Sequence, residues 1–323
     1  MKSLITGTAG FIGLNLLDEL IKKEYQIVGI DKNFDRKKYF KKYLYKNAPM
    51  FLYDSNLLKN NIRIIWDDIK NITSYSYNLD NIDIVYHLAA ASDIKRSLED
   101  PTWDLIHNVN RTHQILETMR KKDIDKIVFT STSVVHGTDA PIPTPEEGID
   151  FRPISQYAAS KIACEVFIHA YSHVYGIKGW IFRLGNVIGK YQHRGVIFDF
   201  LKKLKDNQNK LEILGDGEQI KSYIHVSDVV NALTYIPEHD NNKNVEVYNL
   251  ATYDYKNVRN LADIVCEELK VSPRYKFTGG DHGWVGDVPQ VVLSIDKALS
   301  TGWKPKLNCE EAIRRAVNEL SKL

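Results

Sequence analysis

The start of the chain runs from a short apolar stretch into a glycine turn and then into an amphipathic stretch. Residues 2–6 suit a buried strand, Gly7, Gly10 and Gly13 follow at a spacing of three, and residues 14–23 show helical periodicity. Strand, glycine turn and helix in this order predict a site for a dinucleotide pyrophosphate at the helix N-terminus. The spacing differs from the common G-x-G-x-x-G, so a purely structural turn stays open.

The next apolar run, residues 25–30, ends in an acid, Asp31. A carboxylate about 20 positions after such glycines accepts hydrogen bonds from an adenosine ribose. The same charge repels a 2′-phosphate, so Asp31 predicts NAD rather than NADP. Phe11 and Ile12, which lie between the second and third glycines, join the glycines as expected contacts of the cofactor.

Further apolar runs alternate with helical patterns along the chain, which predicts a doubly wound, parallel α/β sheet of the Rossmann type. In such a sheet, ligands bind beyond the carboxyl ends of the strands. Polar or small residues follow several of these runs and are therefore expected at that edge. They are Asp68, Ala89 and Ala90, with the apolar Ile69 and Leu88 beside them, and the hydroxyl cluster Ser131, Thr132 and Ser133.

Tyr157 and Lys161 lie four positions apart in a stretch that has no glycine or proline up to Ile168. On a helix, this spacing puts both side chains on one face. A nearby cation favours a phenolate, so the pair predicts a general base. A surface tyrosine beside a surface lysine is the alternative reading.

Bulk properties exclude several classes of function. The 43 basic and 41 acidic residues leave a net charge of +2, which gives no reason to expect nucleic acid or an anionic membrane as a partner. Cys164, Cys266 and Cys309 have no metal-ligand spacing, so we expect no metal, no disulfide and a cytoplasmic location. The apolar N-terminus has neither the basic head nor the cleavage site of a signal peptide.

Taken together, these residues resemble the extended short-chain dehydrogenases/reductases, and within them the nucleotide-sugar epimerase/dehydratase group, most closely the UDP-glucose 4-epimerases. The resemblance covers nearly the whole chain. The shared motifs are Gly7-x-x-Gly10-x-x-Gly13, Asp31, Asp68-Ile69, His87-Leu-Ala-Ala90, Asn110, the hydroxyls before Val-His-Gly137, Tyr157-x-x-x-Lys161, Arg183-Leu-Gly-Asn186, Gly215-Asp-Gly-Glu-Gln219, Ser222-Tyr-Ile-His-Val-Ser-Asp228 and Gly286-Asp287.

The resemblance implies a role for each catalytic residue. Tyr157 would be the general base, Lys161 would contact the nicotinamide ribose, and Thr132 would hydrogen-bond the reacting sugar hydroxyl. The implied reaction is oxidation of a nucleotide sugar at C4, rotation of the 4-keto sugar and reduction on its other face. Tyr157, Lys161 and Asn110 would join the glycines and strand-end residues in binding NAD.

Two positions depart from the dehydratases of the group. Those enzymes usually carry Asp-Glu directly after the catalytic threonine, and here the two positions are Ser133 and Val134. Neither side chain exchanges protons at neutral pH, which argues against a 4,6-dehydratase. His136 stands where the family usually has tyrosine, and we expect it to pack rather than to catalyse.

The resemblance also implies the binding residues of a nucleotide-diphosphate sugar, expected to be a UDP-hexose. Lys221 stands where the family usually has a phosphate-binding arginine, and Trp284 replaces a second arginine. Lysine offers a point charge rather than a bidentate fork. Val291 stands where a small residue is associated with tolerance of N-acetylhexosamines. The expected substrate contacts are Thr132, Asn186, Gly195, Val196, Lys221 and Val291.

The predicted domains are an NAD-binding Rossmann domain of residues 1–186 and 222–252, and a smaller, discontinuous α/β domain of residues 187–221 and 253–323 for the nucleotide sugar. The family also implies a homodimer. A 4,6-dehydratase, a decarboxylase and a reductase all stay open on the same motifs. A non-catalytic NAD-binding partner protein stays open as well.

Overall fold

The computed structural model describes residues 1–33, 62–240, 244–283 and 286–322. The strands are β1 (Lys2–Thr6), β2 (Gln26–Ile30), β3 (Ile62–Ile65), β4 (Ile84–His87), β5 (Lys126–Thr132), β6 (Lys178–Leu184), β7 (Asn186–Ile188), β8 (Lys210–Ile213), β9 (Ile220–Lys221), β10 (Tyr223–His225), β11 (Val245–Leu250), β12 (Lys256–Asn257), β13 (Arg274–Phe277) and β14 (Gln290–Val291). The helices are α1 (Phe11–Lys22), α2 (Ile94–Glu99), α3 (Arg111–Lys121), α4 (Gln156–Tyr175), α5 (Val196–Asp206), α6 (Val226–His239), α7 (Val258–Leu269), α8 (Asp296–Ser300) and α9 (Cys309–Leu320).

The central sheet has seven strands in the order β11-β6-β5-β4-β1-β2-β3 and is parallel. In its middle, β1 pairs in parallel with β2 and with β4, so that Thr6 lies beside both Ile30 and His87. The carboxyl ends of these strands therefore share one edge. The prediction of a doubly wound α/β fold is confirmed.

The amphipathic stretch after the glycine turn forms α1, and its apolar face is buried. Leu14, Leu17 and Leu20 recur every three residues and are at most 2% exposed. The β1 residues Leu4 and Ile5 are buried as well. Burying a leucine fully contributes about 1.5–3 kcal/mol, so this pattern places α1 on the sheet at the end of the glycine turn.

The chain divides into two compact units. The first comprises Met1–Thr130, Ser160–Ile181 and Asn241–Glu246, and the second comprises Ser131–Ala159, Phe182–Asp240 and Val247–Leu323. The second unit has a core of its own, in which buried residues of α5, α7 and α9 pack together. The two domains with the boundaries given above stay a prediction.

Two helical segments have features that sequence periodicity does not predict. The helix after Asp100 and Pro101 begins as a short turn, Thr102–Asp104, and continues as a π-helix, Leu105–Asn110, before α3. The α6 helix begins at Val226 because the His225 ring accepts a hydrogen bond from the Ser227 N–H at 3.2 Å. Among the described residues, every helix is too short or too polar to cross a membrane.

Candidate active site

None of the three glycines in the N-terminal turn can be replaced without a backbone shift, and a Cβ atom on Gly10 would lie 2.9 Å from the Gly7 carbonyl oxygen. Gly7 has φ +74°, and a Cβ atom there would lie 2.8 Å from the Ala89 nitrogen. A Cβ atom on Gly13 would lie 2.1 Å from the Gly7 carbonyl oxygen. The turn is closed by a hydrogen bond from the Gly10 N–H to that same oxygen at 2.9 Å. Strand β1, the loop after β4 and α1 are therefore closely packed here, as a pyrophosphate site requires.

The α1 helix begins directly after this turn, with Phe11 and Ile12 in its first turn. The first N–H groups of a helix have no acceptor within the helix, and the helix dipole favours a negative charge beside them. Gly10 precedes them without a side-chain cap. These residues fit the pyrophosphate of a dinucleotide.

Asp31 follows β2 and braces the glycine turn with its own carboxylate. Its Oδ2 accepts the Ala9 N–H at 2.8 Å, and its Oδ1 accepts the Asn33 N–H at 2.8 Å. A charged acceptor fixed at this strand end fits an adenosine ribose and opposes a 2′-phosphate. Asp31 as a ribose contact stays a prediction.

We expect the protein to bind NAD at least about tenfold more tightly than NADP, a difference of about 1.4 kcal/mol. Replacing Asp31 by alanine should reduce the difference in affinity between NAD and NADP. The variant loses both the acceptor for the ribose hydroxyls and the charge that repels a 2′-phosphate. Asp31→Asn is the matched variant, since it keeps an oxygen for the Ala9 N–H but carries no charge. Titration calorimetry with both cofactors measures the gap, and equal affinities in the unaltered protein would refute ribose recognition by Asp31.

Asp68, expected among the cofactor-binding residues, lies between two cations. Its Oδ1 is 2.9 Å from Arg111 Nε, and its Oδ2 is 3.3 Å from Lys32 Nζ. Burial acts to raise the pKa of Asp68, but the Lys70 N–H and these two cations hold it below its usual value. The residue is therefore a carboxylate at neutral pH. Ile69 follows as a buried residue at the start of a 3₁₀ segment.

The loop after β4 is held by an asparagine that sequence reasoning passed over. Asn108 accepts the Ala91 N–H at 2.7 Å and donates to the Ala91 carbonyl at 3.1 Å. It also donates to the Ser160 hydroxyl at 2.8 Å. The predicted Asn110, two positions further on, is exposed. It is therefore Asn108 that holds the loop after β4.

The same loop begins with Leu88 and Ala89 at the end of the strand. The Ala89 N–H donates to the Thr6 hydroxyl at 3.2 Å, while Ala90 is exposed. The Thr6 hydroxyl also lies 2.7 Å from His87 Nδ1. Burial lowers the pKa of His87 to about 3, so its ring is neutral. The buried ring anchors the loop and adds no charge.

Lys161 is buried, with 2% of its surface exposed. Its ammonium donates to the Thr130 carbonyl at 2.8 Å and lies 4.5 Å from the centre of the Phe129 ring. Burial lowers the pKa of Lys161 to about 8, so the side chain is still largely a cation at pH 7. A fixed cation of this kind stabilises an anionic neighbour.

Tyr157 is the second residue of α4, which also carries Lys161 one helical turn later. The predicted helix is confirmed, and it places both side chains on one face. Thr132 ends β5, half-buried, and its hydroxyl accepts the Val134 N–H at 3.5 Å. Ser133 and Val134 form the 3₁₀ turn Ser133–His136 that follows. Thr132, Tyr157 and Lys161 as a catalytic set stay a prediction.

The predicted substrate residues of the second unit lie on its small strands and at one helix start. Gly195 has φ +92° and precedes α5, of which Val196 is the first residue. The Asn186 N–H donates to the Ser222 carbonyl at 3.1 Å. Val291 pairs in parallel register with Lys221. The structure therefore brings Lys221 and Val291 together, although they are 70 positions apart in the sequence.

Lys221 is paired with an acid to which sequence reasoning gave no role. Its ammonium lies 2.9 Å from Asp287 Oδ1 and also donates to the Val288 carbonyl. Burial lowers the pKa of Lys221, and Asp287 opposes that shift. Trp284, the other departure from the phosphate-binding pattern, lies outside the described residues.

His136 is buried, as expected of a packing residue. Its Nε2 is 3.1 Å from the Arg183 guanidinium, and its ring stacks on Phe151 with 5.7 Å between the ring centres. Arg183 in turn donates to the Glu146 carbonyl at 2.8 Å. These contacts tie the loop before α4 to β6, as a packing role requires.

Comparison with known proteins agrees with this geometry. A sequence profile of the NAD dependent epimerase/dehydratase family matches residues 3–251. A Methanocaldococcus jannaschii protein, provisionally named a UDP-glucose 4-epimerase, is 33% identical over 98% of this chain and 97% of its own length. A dTDP-D-glucose 4,6-dehydratase from Mus musculus is 29% identical over 97% of this chain and 87% of its own length.

A solved structure extends the likeness to three dimensions. The UDP-glucuronic acid 4-epimerase from Bacillus cereus, crystallised with UDP-glucuronic acid and NAD, matches with a TM-score of 0.87 and 25% identity. The match covers 100% of this chain and 99% of that one. In this chain, the glycine turn, Asp31 and the strand ends fit the same cofactor. The chain therefore belongs to the NAD-dependent epimerase/dehydratase family of extended short-chain dehydrogenases/reductases, and its cofactor is NAD.

Proposed function

We propose that this enzyme inverts the C4 hydroxyl of a nucleotide-diphosphate sugar, with UDP-glucose and UDP-galactose as the first pair to test. The observation that carries the proposal is the residue pattern after β5. Thr132 is followed by Ser133 and Val134 in a 3₁₀ turn, so the two positions next to it carry no carboxyl group. Tyr157 and Lys161 on α4 supply a base, and an enzyme with this set can oxidise and reduce a sugar carbon.

The glycine turn and Asp31 would hold NAD, which would supply the acceptor and donor of the hydride. The protein's own residues move the proton and hold the sugar. Tyr157 takes the proton from the C4 hydroxyl and later returns it. Lys161 stays protonated at pH 7 and favours the phenolate form of the tyrosine. The Thr132 hydroxyl hydrogen-bonds the reacting oxygen and directs it toward the base.

The product of the reaction distinguishes an epimerase from a dehydratase. Because a dTDP-D-glucose 4,6-dehydratase is among the relatives, water elimination is a real competitor. We expect incubation with UDP-glucose to yield UDP-galactose and no stable 4-keto-6-deoxy sugar. Removing water needs an acid and a base near C5 and C6. Mass spectrometry separates the outcomes, since epimers share one mass and the product of dehydration is lighter by one water. Accumulation of the lighter product from UDP-glucose or dTDP-glucose would refute the proposed epimerase activity.

A reductase, a decarboxylase and a non-catalytic binding protein would each differ from an epimerase in the fate of the cofactor or the sugar. A reductase would consume NADH with each turnover, and a decarboxylase would release carbon dioxide from a nucleotide uronate. A non-catalytic binding protein would turn over no nucleotide sugar. We expect instead that NAD copurifies with the protein and that no net redox change accompanies turnover. Chromatography of the released cofactor, before and after turnover, measures this.

We propose that the nucleotide sugar is held by Asn186, at the end of the first segment of the NAD-binding domain, and by Gly195, Val196, Lys221 and Val291 of the second domain, residues 187–221 and 253–323. Support comes from the β9 and β14 pairing, which sets Lys221 beside Val291. Lys221 supplies positive charge toward a diphosphate. Val291 is smaller than tyrosine, so the pocket would also admit an N-acetylhexosamine.

We further propose that two copies of the chain associate through the first unit. Apolar side chains there are exposed on α4 and on the π-helix, with Val166 at 57%, Phe167 at 37% and Leu105 at 54%. Burying such a face between copies removes apolar surface from water. Light scattering should give twice the 37.1 kDa mass of the chain, and a Val166→Glu variant should be monomeric. A monomeric unaltered protein would refute the association.

The free thiols of Cys164, Cys266 and Cys309 suit a cytoplasmic location, which cell fractionation would test.

A further inference from the structure

The phosphate-binding cation proposed above is already paired within the second unit. Lys221 ends β9, and its side chain is 10% exposed. The Asp287 side chain, 15% exposed, places Oδ1 2.9 Å from the ammonium nitrogen. The pair is thus mostly shielded from water. Charges in such a buried environment interact much more strongly than charges at the surface.

The surrounding backbone fixes this pair. The other carboxylate oxygen, Asp287 Oδ2, accepts the Gly283 N–H at 3.1 Å. Strand β14 runs parallel to β9, with Gln290 beside Ile220, so the short segment from Asp287 to Gln290 returns directly to the lysine's own strand. Asp287 therefore reaches Lys221 from a position held by two neighbouring backbone segments.

The lysine ammonium carries three N–H donors on one nitrogen, so two acceptors from the protein leave at most one donor for a phosphate oxygen. Asp287 and the Val288 carbonyl take two of these donors. The charges of Lys221 and Asp287 also cancel. An incoming diphosphate would meet a neutral pair rather than a cation, and its own negative charge would face the carboxylate of Asp287.

We propose that Asp287 competes with the substrate's phosphate groups for Lys221 and so sets a low affinity for nucleotide diphosphates. This inference rests on the proposed nucleotide-sugar function and assigns Asp287 as an affinity-determining residue. We expect this competition to speed the release of product, because the Asp287 carboxylate can replace the departing diphosphate as the partner of Lys221. Arginine at position 221 would behave differently, because its five donors can serve both anions at once.

A structural role for Asp287 makes the opposite prediction. If the carboxylate only holds Lys221 in place, its removal would leave the ammonium misdirected and weaken binding. The two roles can therefore be separated by the sign of the change in affinity.

The test is the binding of UDP and of uridine to the NAD-loaded protein, measured by titration calorimetry. Asp287→Asn keeps the shape and an acceptor for the Gly283 N–H but removes the charge. We expect it to bind UDP about tenfold more tightly or better, because a repulsion from a poorly solvated carboxylate is removed. Affinity for uridine, which has no phosphate, should not change. UDP binding by the variant should also weaken more steeply with added salt.

Three further variants complete the test. Asp281→Asn makes the same charge change on the same loop at a side chain that is 81% exposed and paired with His282, and it should leave UDP affinity unchanged. Lys221→Arg should tighten UDP binding, and Lys221→Met should weaken it, whether or not Asp287 is altered.

The competing role is overturned if Asp287→Asn binds UDP as weakly as Lys221→Met, or with unchanged affinity. Turnover of UDP-glucose by the unaltered protein separates this failure from a failure of the proposed function. Normal turnover with an unaltered or weaker UDP affinity in Asp287→Asn refutes the inference alone. Absence of both turnover and UDP binding in the unaltered protein refutes both.

Discussion

Replacing Tyr157 by phenylalanine is expected to lower kcat by about 10² or more, because a positioned acid–base group contributes roughly that much. The ring stays, so α4 keeps its packing, and only the atom that exchanges a proton with the sugar is lost. Bound NAD should survive the change, because the glycine turn and Asp31 lie elsewhere in the chain. Initial rates with UDP-glucose and the amount of cofactor that copurifies measure the two effects.

Tyr171→Phe is the matched control on the same helix. Tyr171 donates its hydroxyl to Glu117 at 2.8 Å, and burial and this carboxylate raise the pKa of Tyr171 to about 12. Its hydroxyl is therefore a structural donor rather than a proton acceptor at neutral pH. We expect this variant to lose some stability and to keep near-normal kcat. Turnover by Tyr157→Phe that matches the unaltered enzyme would show that Tyr157 is not the base.

The second large effect concerns the size of the sugar. Val291 is buried at 7% exposure beside Lys221, and tyrosine at this position would fill space that valine leaves. Protein interiors are packed too closely to admit an acetamido group where no room exists. We expect the enzyme to interconvert UDP-N-acetylglucosamine and UDP-N-acetylgalactosamine as well as UDP-glucose and UDP-galactose. Val291→Tyr should lower kcat/KM for the N-acetylated pair at least about tenfold more than for the plain pair.

The plain pair serves as the control within the same variant, since a general loss of stability would lower both activities together. Chromatographic separation of the four nucleotide sugars after incubation gives both rates. Val291 does not make room for an acetamido group if the unaltered enzyme converts UDP-glucose but leaves both N-acetylated sugars untouched at saturating concentration. In that case Val291 simply packs in the core, and the C4 epimerase proposal would still stand.

The cofactor end of this protein could be predicted from sequence because each of its signals is local. The glycine turn links β1 to α1, Asp31 follows β2 directly, and a tyrosine four positions before a lysine shares a helix face with it. Such features depend on backbone geometry within a few residues. The alternation of strands and helices then places their ends at one edge of a parallel sheet.

Spacing alone could not choose between two nearby asparagines. Asn110 is the one expected at the cofactor site, but it is Asn108, in the π-helix, that bonds the Ala91 backbone, and Asn110 is exposed. A π-helix changes the angle between successive side chains, and the residues of this segment carry no sequence signal that predicts one. The same holds for the start of α6, where the His225 ring caps the helix.

By itself, the sequence determined the Rossmann-type sheet, the choice of NAD as cofactor and the helix that carries Tyr157 and Lys161, since these follow from local periodicity and turn chemistry. Only the tertiary structure decided what Lys221 faces. Its partner Asp287 lies 66 positions away, and the pairing of β9 with β14 brings the two within 2.9 Å. A charge pair between distant segments depends on strand register, which is set by how the whole unit packs and not by the residues near either charge.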